Sequence, residues 1–242
     1  MIAVTGASRG IGASVALELA RRGFAVACLT RSGRGVEDRP VPAELAGRLL
    51  PLPCDVTDEG ALARGLGEAA GQGGLRGLVN SAGLHGTAPS AHLPAADLRA
   101  MLETNVTGLF VACREAYPHL KAHGGGLIVN LGSFFDRMGV PRNLAYTASK
   151  AAVAAVTRCL AVEWARDNIA VLNVAPGYIE TDLNREFLRR ESVQAALLPR
   201  IPVGRTGRPD EVARLIAALF VEELAFMTGE TLYIDGGQGI AH

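Results

Sequence analysis

The amino-acid sequence predicts an α/β fold in which a parallel sheet of seven strands is doubly wound, with helices on both faces. Short apolar segments alternate with longer segments of helical periodicity, which is the pattern of repeated β-α-β units. The chain has 242 residues, a length that one α/β domain with one core accommodates. No internal repeat or linker-like stretch interrupts it. We therefore expect residues 1–242 to form a single domain.

Each predicted strand is a short apolar run bounded by Gly, Pro, Asn or Asp, the residues that commonly end strands. Seven such runs fit one sheet. In chain order they are Ile2–Val4, Ala25–Leu29, Leu49–Pro53, Gly77–Val79, Gly126–Leu131, Ala170–Ala175 and Glu230–Ile234.

Helices are predicted between the strands, where apolar residues recur with helical period. Two connections are longer than the others. Residues 31–42 are rich in Arg, Gly and Pro, and residues 178–206 form a loop that contains an amphipathic segment at 184–198. The predicted helices are Ile11–Arg22, Glu59–Ala70, Ala95–Leu120, Ala145–Arg166 and Asp210–Phe220.

The composition of the chain excludes several classes of protein. Hydrophobic residues make up 49% and charged residues 20% of the sequence, and no apolar run reaches the length of a membrane-spanning helix. The formal net charge is zero, with basic residues spread along the chain, so nothing indicates binding to nucleic acid or to an anionic membrane. We expect a soluble protein that binds a small molecule.

The cysteines and the N-terminal residues indicate where the protein works. The cysteines are far apart, lack C-x-x-C spacing and lie in apolar surroundings, so we expect buried free thiols and no metal site. The chain opens without the charged and apolar regions of a secretory signal, which favours the cytoplasm. The four cysteines are Cys28, Cys54, Cys113 and Cys159.

A glycine-rich loop joins the first predicted strand to the first helix. It reads Thr5-Gly6-Ala7-Ser8-Arg9-Gly10-Ile11-Gly12, with three glycines where a backbone turns tightly and approaches a phosphate. The helix behind it offers free N–H groups and a positive dipole end to an anion. The loop thus predicts a Rossmann-like dinucleotide site. Its predicted cofactor-binding residues are Gly6, Ser8, Arg9, Gly10, Ile11 and Gly12.

The end of the second strand predicts which dinucleotide binds. A fold that selects NAD commonly has an acid there against the ribose 2′-hydroxyl group, but this chain has Thr30 followed by Arg31. Guanidinium groups of Arg31 and Arg9 can converge on a 2′-phosphate, with Arg34 as a further candidate. We expect NADP(H) as the preferred cofactor, while NAD(H) stays possible.

Three more strand ends supply predicted cofactor contacts. Asp55 can accept a hydrogen bond from the adenine amino group, and small residues after the fourth strand let the backbone run close to the adenine ribose. Thr181 follows the sixth strand, where it can fix the nicotinamide carboxamide. The full set is Asp55, Val56, Asn80, Ala82, Gly83, Pro176, Gly177, Ile179 and Thr181.

Four residues form the predicted catalytic group. Tyr146 and Lys150 are four residues apart on one helix face, and a nearby ammonium group favours a phenolate and lowers its pKa. Ser133 ends a strand at the carboxyl edge of the sheet, where its hydroxyl group can hold the substrate oxygen. Asn105 interrupts a helical stretch and can bind a water molecule that connects Lys150 to solvent.

These motifs, in this order, closely resemble those of the short-chain dehydrogenase/reductase family in its compact single-domain branch. The resemblance covers essentially the whole chain and includes Ser133 thirteen residues before Tyr146. It implies hydride transfer without a metal. Tyr146 is then the general acid in reduction, Ser133 holds the carbonyl, and Asn105 supports the proton relay. Lys150 and Tyr146 also contact the cofactor, Lys150 through the nicotinamide ribose.

The resemblance also implies that the protein assembles through its long helices, as a homotetramer or, second, a dimer. Ser81 departs from the family pattern, which has a second Asn there. This change affects one turn contact and no catalytic group.

The predicted substrate pocket is walled by 84–92, 134–142 and 178–198. Its apolar and aromatic residues favour a hydrophobic or cyclic ketone or secondary alcohol. Asp136, Arg137 and Arg142, together with His85, can supply polar selectivity. The named candidates are His85, Phe134, Phe135, Met138, Tyr178 and Phe187.

Three alternatives remain open. Residues 177–181 and 200–205 also resemble 3-oxoacyl-[acyl-carrier-protein] reductases, although Asp167 lies where those enzymes tend to carry arginines. An NAD-dependent alcohol or sugar dehydrogenase would have the same catalytic residues. A non-catalytic nucleotide-sensing protein is the third alternative, and the intact catalytic set argues against it.

Overall fold

The strands form one parallel sheet in the computed structural model, which describes residues 1–182, 184–222, 224 and 226–241. Its strand order is β3-β2-β1-β4-β5-β6-β7, and every neighbouring pair is parallel. The predicted fold class is confirmed, and the strand ends agree with the prediction to within one residue. The strands are β1 Ile2–Thr5, β2 Val26–Thr30, β3 Leu49–Pro53, β4 Gly77–Asn80, β5 Gly126–Leu131, β6 Ile169–Pro176 and β7 Thr231–Ile234.

Helices cover both faces of this sheet. The described helices are α1 Gly10–Arg21, α2 Ala43–Ala46, α3 Glu59–Gly71, α4 Ala95–Leu102, α5 Gly108–Ala122, α6 Leu144–Trp164, α7 Arg185–Leu188, α8 Glu191–Leu197 and α9 Pro209–Val221. Apolar residues of α1 and α9 pack on one face, and those of α3, α5 and α6 on the other. The single turn α2 was not predicted.

The prediction of one continuous helix over Ala95–Leu120 is wrong. A π-helical turn, Glu103–Thr107, separates α4 from α5. Asn105 in this turn is buried, and its side-chain amide bonds to the backbone of Leu84. The turn therefore aims a polar side chain at the loop after β4, and π turns of this kind are frequent at functional sites.

The loop over residues 178–206 folds around a small apolar cluster of its own. Leu188, Leu197 and Ile201 are its buried members, with Tyr178 packed against them. The predicted amphipathic segment forms two short helices, α7 and α8, rather than one. Leu183 of this loop lies outside the described residues.

The strand order reverses between β1 and β4, and this switch point creates a crevice at the carboxyl ends of the strands. All four cysteines are free thiols, but Cys159 is exposed on α6, so its predicted burial is wrong. No described helix is both long and apolar enough to cross a membrane. The described residues also contain no cluster of three or more metal-ligating side chains.

Candidate active site

The glycine-rich loop folds tightly on itself and against the loop after β4. A Cβ atom on Gly12 would lie 2.3 Å from the carbonyl oxygen of Gly6, and one on Gly6 would lie 2.7 Å from the backbone of Ala82. Only glycine fits at either position. The two loops therefore meet at the mouth of the crevice, beside the first turn of α1.

The first turn of α1 retains donors for an anion. Arg9 at the N-cap makes no capping hydrogen bond through its side chain, and the N–H of Gly10 donates to Asp38 Oδ2 at 2.7 Å. Within the described chain, the N–H groups of Ile11 and Gly12 have no acceptor. These donors and the positive helix end fit a dinucleotide pyrophosphate.

Asp38 is a residue that the sequence analysis missed. It belongs to the 31–42 loop, which is held to the glycine-rich loop because the N–H groups of Glu37 and Asp38 donate to the carbonyl oxygen of Ser8. Arg39 pairs with Asp38 at 2.7 Å and donates to Ser14 on α1. No local motif marks such a long-range contact in the sequence.

The end of β2 presents arginines at the predicted 2′-position of the cofactor. The hydroxyl oxygen of Thr30 accepts from the N–H of Gly33 at 3.1 Å and so closes a turn. Arg31 and Arg9 are exposed, and neither forms an ion pair with a described residue. Arg34 pairs with Glu37 at 2.7 Å and is less available to a phosphate.

Asp55 lies close to Arg31. Its Oδ1 accepts hydrogen bonds from the N–H and hydroxyl groups of Thr57, and these bonds, with the positive field of Arg31, lower the pKa of Asp55. The exposed carboxylate is therefore ionised at neutral pH and available as an acceptor. Val56, next in the chain, packs its carbonyl group against Gly108.

Two predicted cofactor residues turn their side chains away from the crevice. Asn80 is buried, and its Nδ2 donates to Asn130 Oδ1 and Cys113 Sγ. Ile179 is buried in the core that α1 and α9 cover. Burial directs both side chains inward and leaves their backbones for a ligand, so the cofactor contacts of Asn80 and Ile179 stay predictions for the backbone.

The remaining predicted cofactor residues lie around the crevice. Gly83 lies against Asn105 and the Lys150 ammonium group. Pro176 ends β6, and Gly177 packs against Asp235. The methyl group of Thr181 lies beside Gly10, so the loop after β6 reaches the glycine-rich loop.

Tyr146, Ser133 and Lys150 meet at the carboxyl end of β5. Helix α6 places Tyr146 and Lys150 one turn apart, and the Ser133 hydroxyl group lies near enough to the Tyr146 phenol to lower its pKa. The buried Lys150 Nζ donates to the carbonyl oxygen of Leu131 at 2.6 Å and lies 5.6 Å from the centre of the Tyr146 ring. A hydroxyl pair beside a buried cation can polarise and protonate a carbonyl oxygen.

The net shift of the Tyr146 pKa in this structure is opposite to the lowering that we expected. Burial raises the pKa of Tyr146, and the nearby Ser133 hydroxyl group opposes this only in part. The Lys150 ammonium group bonds to Leu131 rather than to the phenol, and burial lowers its own pKa to about 8. Tyr146 therefore holds its proton at neutral pH, as a general acid must.

Asn105 makes protein contacts with its whole side-chain amide. Its Oδ1 accepts from the N–H of Leu84 at 2.7 Å, and its Nδ2 donates to Leu84 O at 2.9 Å and to Ser149 Oγ at 3.0 Å. Each polar atom of the amide thus has a partner in the protein, and the binding of a water molecule by Asn105 stays a prediction. Ser149 in turn donates to the carbonyl oxygen of Tyr146 at 2.7 Å.

On the substrate side, the predicted aromatic wall is partly buried. Phe134 and Phe135 are almost fully buried and pack with Tyr178 at centroid distances of 5.5 and 6.0 Å. Phe135 also lies 6.0 Å from the Tyr146 ring, so a contact of these rings with a substrate stays a prediction. Met138 is half-buried and Phe187 is exposed.

The polar substrate candidates differ in position. Asp136 accepts a hydrogen bond from the Tyr233 hydroxyl group, and Arg137 stacks on the same ring at 3.7 Å, so both are engaged with β7. His85 is exposed, and its ring lies 4.8 Å from that of Tyr146 in an edge-to-face arrangement.

Two further polar residues near the catalytic group were not predicted. Ser149 links Asn105 to the Tyr146 backbone, and Asn143 at the N-cap of α6 bonds to His85 at 3.1 Å. Both flank Tyr146 in sequence, at three residues on either side. This closeness to Tyr146 in the sequence is the one feature that could have identified them.

Comparison with known proteins assigns the family. The family model described as enoyl-(acyl carrier protein) reductase matches residues 6–238. Cis-4-hydroxycyclohexanecarboxylate dehydrogenase of Sinomonas cyclohexanicum is 39% identical over 97% of this chain and 94% of its own. The 3-oxoacyl-[acyl-carrier-protein] reductase MabA of Mycobacterium tuberculosis is 34% identical over 100% of this chain and 93% of its own.

Solved structures agree with this assignment. A short-chain type dehydrogenase/reductase from Mycobacterium marinum superposes with a TM-score of 0.89 at 35% identity, covering 98% of this chain and 94% of its own. A gluconate 5-dehydrogenase from Burkholderia cenocepacia J2315, in complex with NADP and tartrate, superposes with a TM-score of 0.90 at 30% identity, covering 100% and 95%. The chain belongs to the short-chain dehydrogenase/reductase family and is an oxidoreductase that acts on CH–OH groups.

Proposed function

We propose that this enzyme is an NADP(H)-dependent oxidoreductase that interconverts a ketone and a secondary alcohol of a small hydrophobic or cyclic molecule. The observation that carries the proposal is the convergence of Ser133 and Tyr146 beside the buried Lys150, whose Nζ lies 5.6 Å from the centre of the Tyr146 ring. In reduction, the carbonyl carbon would accept the hydride that a bound nicotinamide would supply. The Tyr146 hydroxyl proton goes to the carbonyl oxygen, and the alcohol leaves.

Ser133 and Lys150 have separate roles in this step. The Ser133 hydroxyl group, which lies near the Tyr146 phenol, holds the carbonyl oxygen within reach of the phenol proton. The positive charge of Lys150 stabilises the phenolate that forms when the proton leaves, because the site is shielded from solvent. In the oxidative direction the same groups act in reverse, with the phenolate as the base.

The preference for NADP(H) is supported by the arginines at the end of β2. Arg31 and Arg9 are exposed and form no salt bridge with a described residue, and Thr30 leaves the 2′-position without an acid. A related structure holds NADP. Ile11 and Gly12 would hold the pyrophosphate through their N–H groups, and Asp55 would accept from the adenine.

A free small molecule is favoured over a carrier-bound thioester by the charges around the 178–206 loop. Arg185 and Arg189 bond to Glu180, Arg205 pairs with Glu211, and Arg208 pairs with Asp210. These pairs leave little net positive charge for an acidic carrier protein. A dehydrogenase of a cyclic hydroxy acid among the relatives supports a cyclic substrate. The carrier-protein reductase relative supports the second candidate function, 3-oxoacyl-[acyl-carrier-protein] reductase.

We also propose a cytoplasmic homotetramer, with a dimer as the alternative. Val162 is 81% exposed on α6, and Phe110 is exposed on α5, so both long helices offer apolar surface for subunit packing. The free cysteine thiols fit a reducing compartment.

The cofactor proposal is tested by Arg31→Ala. Loss of a charge-assisted hydrogen bond to a phosphate should lower kcat/KM for NADPH about 10- to 100-fold and leave that for NADH unchanged. Arg22→Ala, which removes a surface arginine of α1 far from the crevice, is the matched control. The assay follows NADPH and NADH absorbance with aryl ketones, cyclic ketones and β-ketoacyl thioesters. Equal or better use of NADH by the wild-type enzyme would refute the preference.

A further inference from the structure

His85 lies beside the reacting group without belonging to the catalytic group. It follows the β4 strand end by five residues, and its exposed imidazole ring lies 4.8 Å from the Tyr146 ring with an interplanar angle of 82°. Any ketone oxygen bonded to Tyr146 therefore brings the rest of a small molecule into reach of this imidazole.

The backbone on both sides of His85 is fixed. The N–H and carbonyl groups of the preceding Leu84 both bond to the side-chain amide of Asn105. Beyond His85, the N–H of Ala88 donates to the carbonyl oxygen of Arg142 at 2.9 Å. The loop after β4 is thus tied at two points to the elements that carry the catalytic residues, and His85 lies between these ties.

Asn143 sets which nitrogen of His85 carries a proton. The Asn143 Nδ2 donates to the carbonyl oxygen of Pro141 at 3.0 Å, so the Oδ1 faces His85. An amide oxygen only accepts, and therefore the His85 Nε2, 3.1 Å away, is the donor. In the neutral ring the Nδ1 then has a lone pair, and no group in the described part of the chain donates to it.

We propose that His85, oriented by Asn143, accepts a hydrogen bond from a hydroxyl group of the substrate, so that the substrate is a hydroxy-ketone and the product its diol. This inference rests on the proposed ketone reduction. An acceptor nitrogen selects a donor, and a hydroxyl group on the ring that carries the ketone meets this requirement. A carboxylate or a plain hydrocarbon does not.

The substrate preference is measured with cyclohexanone and with 2-, 3- and 4-hydroxycyclohexanone. The wild-type enzyme should favour at least one hydroxy-ketone over cyclohexanone in kcat/KM by about five- to tenfold, the effect of one hydrogen bond. His85→Phe keeps an aromatic ring against Tyr146 but has no acceptor, so its ratio of kcat/KM for the hydroxy-ketone over cyclohexanone should fall to about one. His123→Phe, at an exposed histidine that follows α5 and lies outside the predicted pocket walls, is the matched control.

Asn143 is a positioning residue in this proposal. Asn143→Asp keeps an oxygen acceptor facing Nε2 and should retain the preference, whereas Asn143→Leu should lose most of it. The ¹⁵N resonances of labelled histidine, assigned with His85→Phe, report the tautomer directly. The Nδ1 signal of His85 should shift when the hydroxy-ketone binds, with or without turnover.

The outcomes separate this proposal from the proposed function. Equal preferences in the wild-type enzyme and His85→Phe, or an Nδ1 signal that saturating hydroxy-ketone leaves unmoved, would overturn the role of His85. A shifted Nδ1 signal without ketone reduction would support His85 as a ligand-binding residue and count against the proposed reduction.

Discussion

Lys150 carries the largest electrostatic cost of any catalytic candidate. Its ammonium group is buried and has one hydrogen bond from Nζ, to the carbonyl oxygen of Leu131, among the described residues. Burial lowers its pKa from 10.5 to about 8, which means that the folded state disfavours the charge. A residue kept at such a cost is expected to serve activity rather than stability.

Replacement of Lys150 by Met should therefore abolish turnover but stabilise the fold at pH 7, by about 1–3 kcal/mol. The folded-state pKa is lowered, so the wild-type penalty is full below pH 8 and disappears as pH rises toward 10.5. The gain in unfolding free energy of the Met variant over wild type should shrink over the same pH interval. Urea unfolding at fixed protein concentration measures this free-energy difference, with Lys150→Arg as the charged control. A Met variant less stable than wild type at pH 7 would contradict this account.

At the same scale, sequence spacing was sufficient to place Tyr146, Lys150 and Ser133 together. An i, i+4 pair has a fixed geometry on a helix, and a strand end has a fixed place in a parallel sheet. The inward orientation of Asn80 was not predictable, because a polar residue at the end of a strand usually indicates a contact with a ligand. Its partners are Asn130 on the neighbouring strand β5 and Cys113 on α5, which are 50 and 33 residues away in sequence.

The acidic residue Glu211 caps the N-terminus of helix α9. Glu211 accepts from the N–H of Arg208 at the N-cap and pairs with Arg205 at 2.7 Å. The hydrogen bond from Arg205, aided by that of Arg208, lowers the pKa of Glu211 to about 2. This capping joins α9 to the end of the 178–206 loop, so the helix and the loop are expected to share stability.

Glu211→Gln should cost about 1 kcal/mol of unfolding free energy at neutral pH, the typical value of a lost cap interaction. Because the folded-state pKa is lowered, the wild-type contribution is full above pH 4.5 and is lost as pH falls toward 2. The two proteins should therefore converge in stability over that interval. Thermal unfolding across this range measures the difference, and Glu222→Gln at the other end of α9 is the control. A constant difference at all pH values would be inconsistent with the capping role.

Among the elements, the sheet was predictable because apolar strands in a parallel sheet are short and bounded by turn residues. The π-helical turn at Glu103–Thr107 and the single turn α2 were not. The first depends on the long-range bonds of Asn105 to Leu84, and the second is four residues long, too short for periodicity to show.

For the whole molecule, the exposed apolar residues of α5 and α6 lead to the prediction of a tetramer. Val162→Glu should shift the wild-type assembly to smaller species, because an unpaired charge is costly in a buried interface. Light scattering coupled to gel filtration gives the mass of the wild-type and the variant assemblies. A monomeric wild-type protein would show that these helices remain exposed in solution.

The most direct test of hydride transfer with Tyr146 as the proton donor is the rate of NADPH oxidation by Tyr146→Phe, with the best ketone of the panel. The rate should fall about 10²- to 10⁴-fold, the usual contribution of a general acid. NADPH binding, measured by fluorescence, should stay unchanged, because the backbone donors of the glycine-rich loop are untouched. A Phe variant that keeps a tenth of wild-type activity would contradict the account.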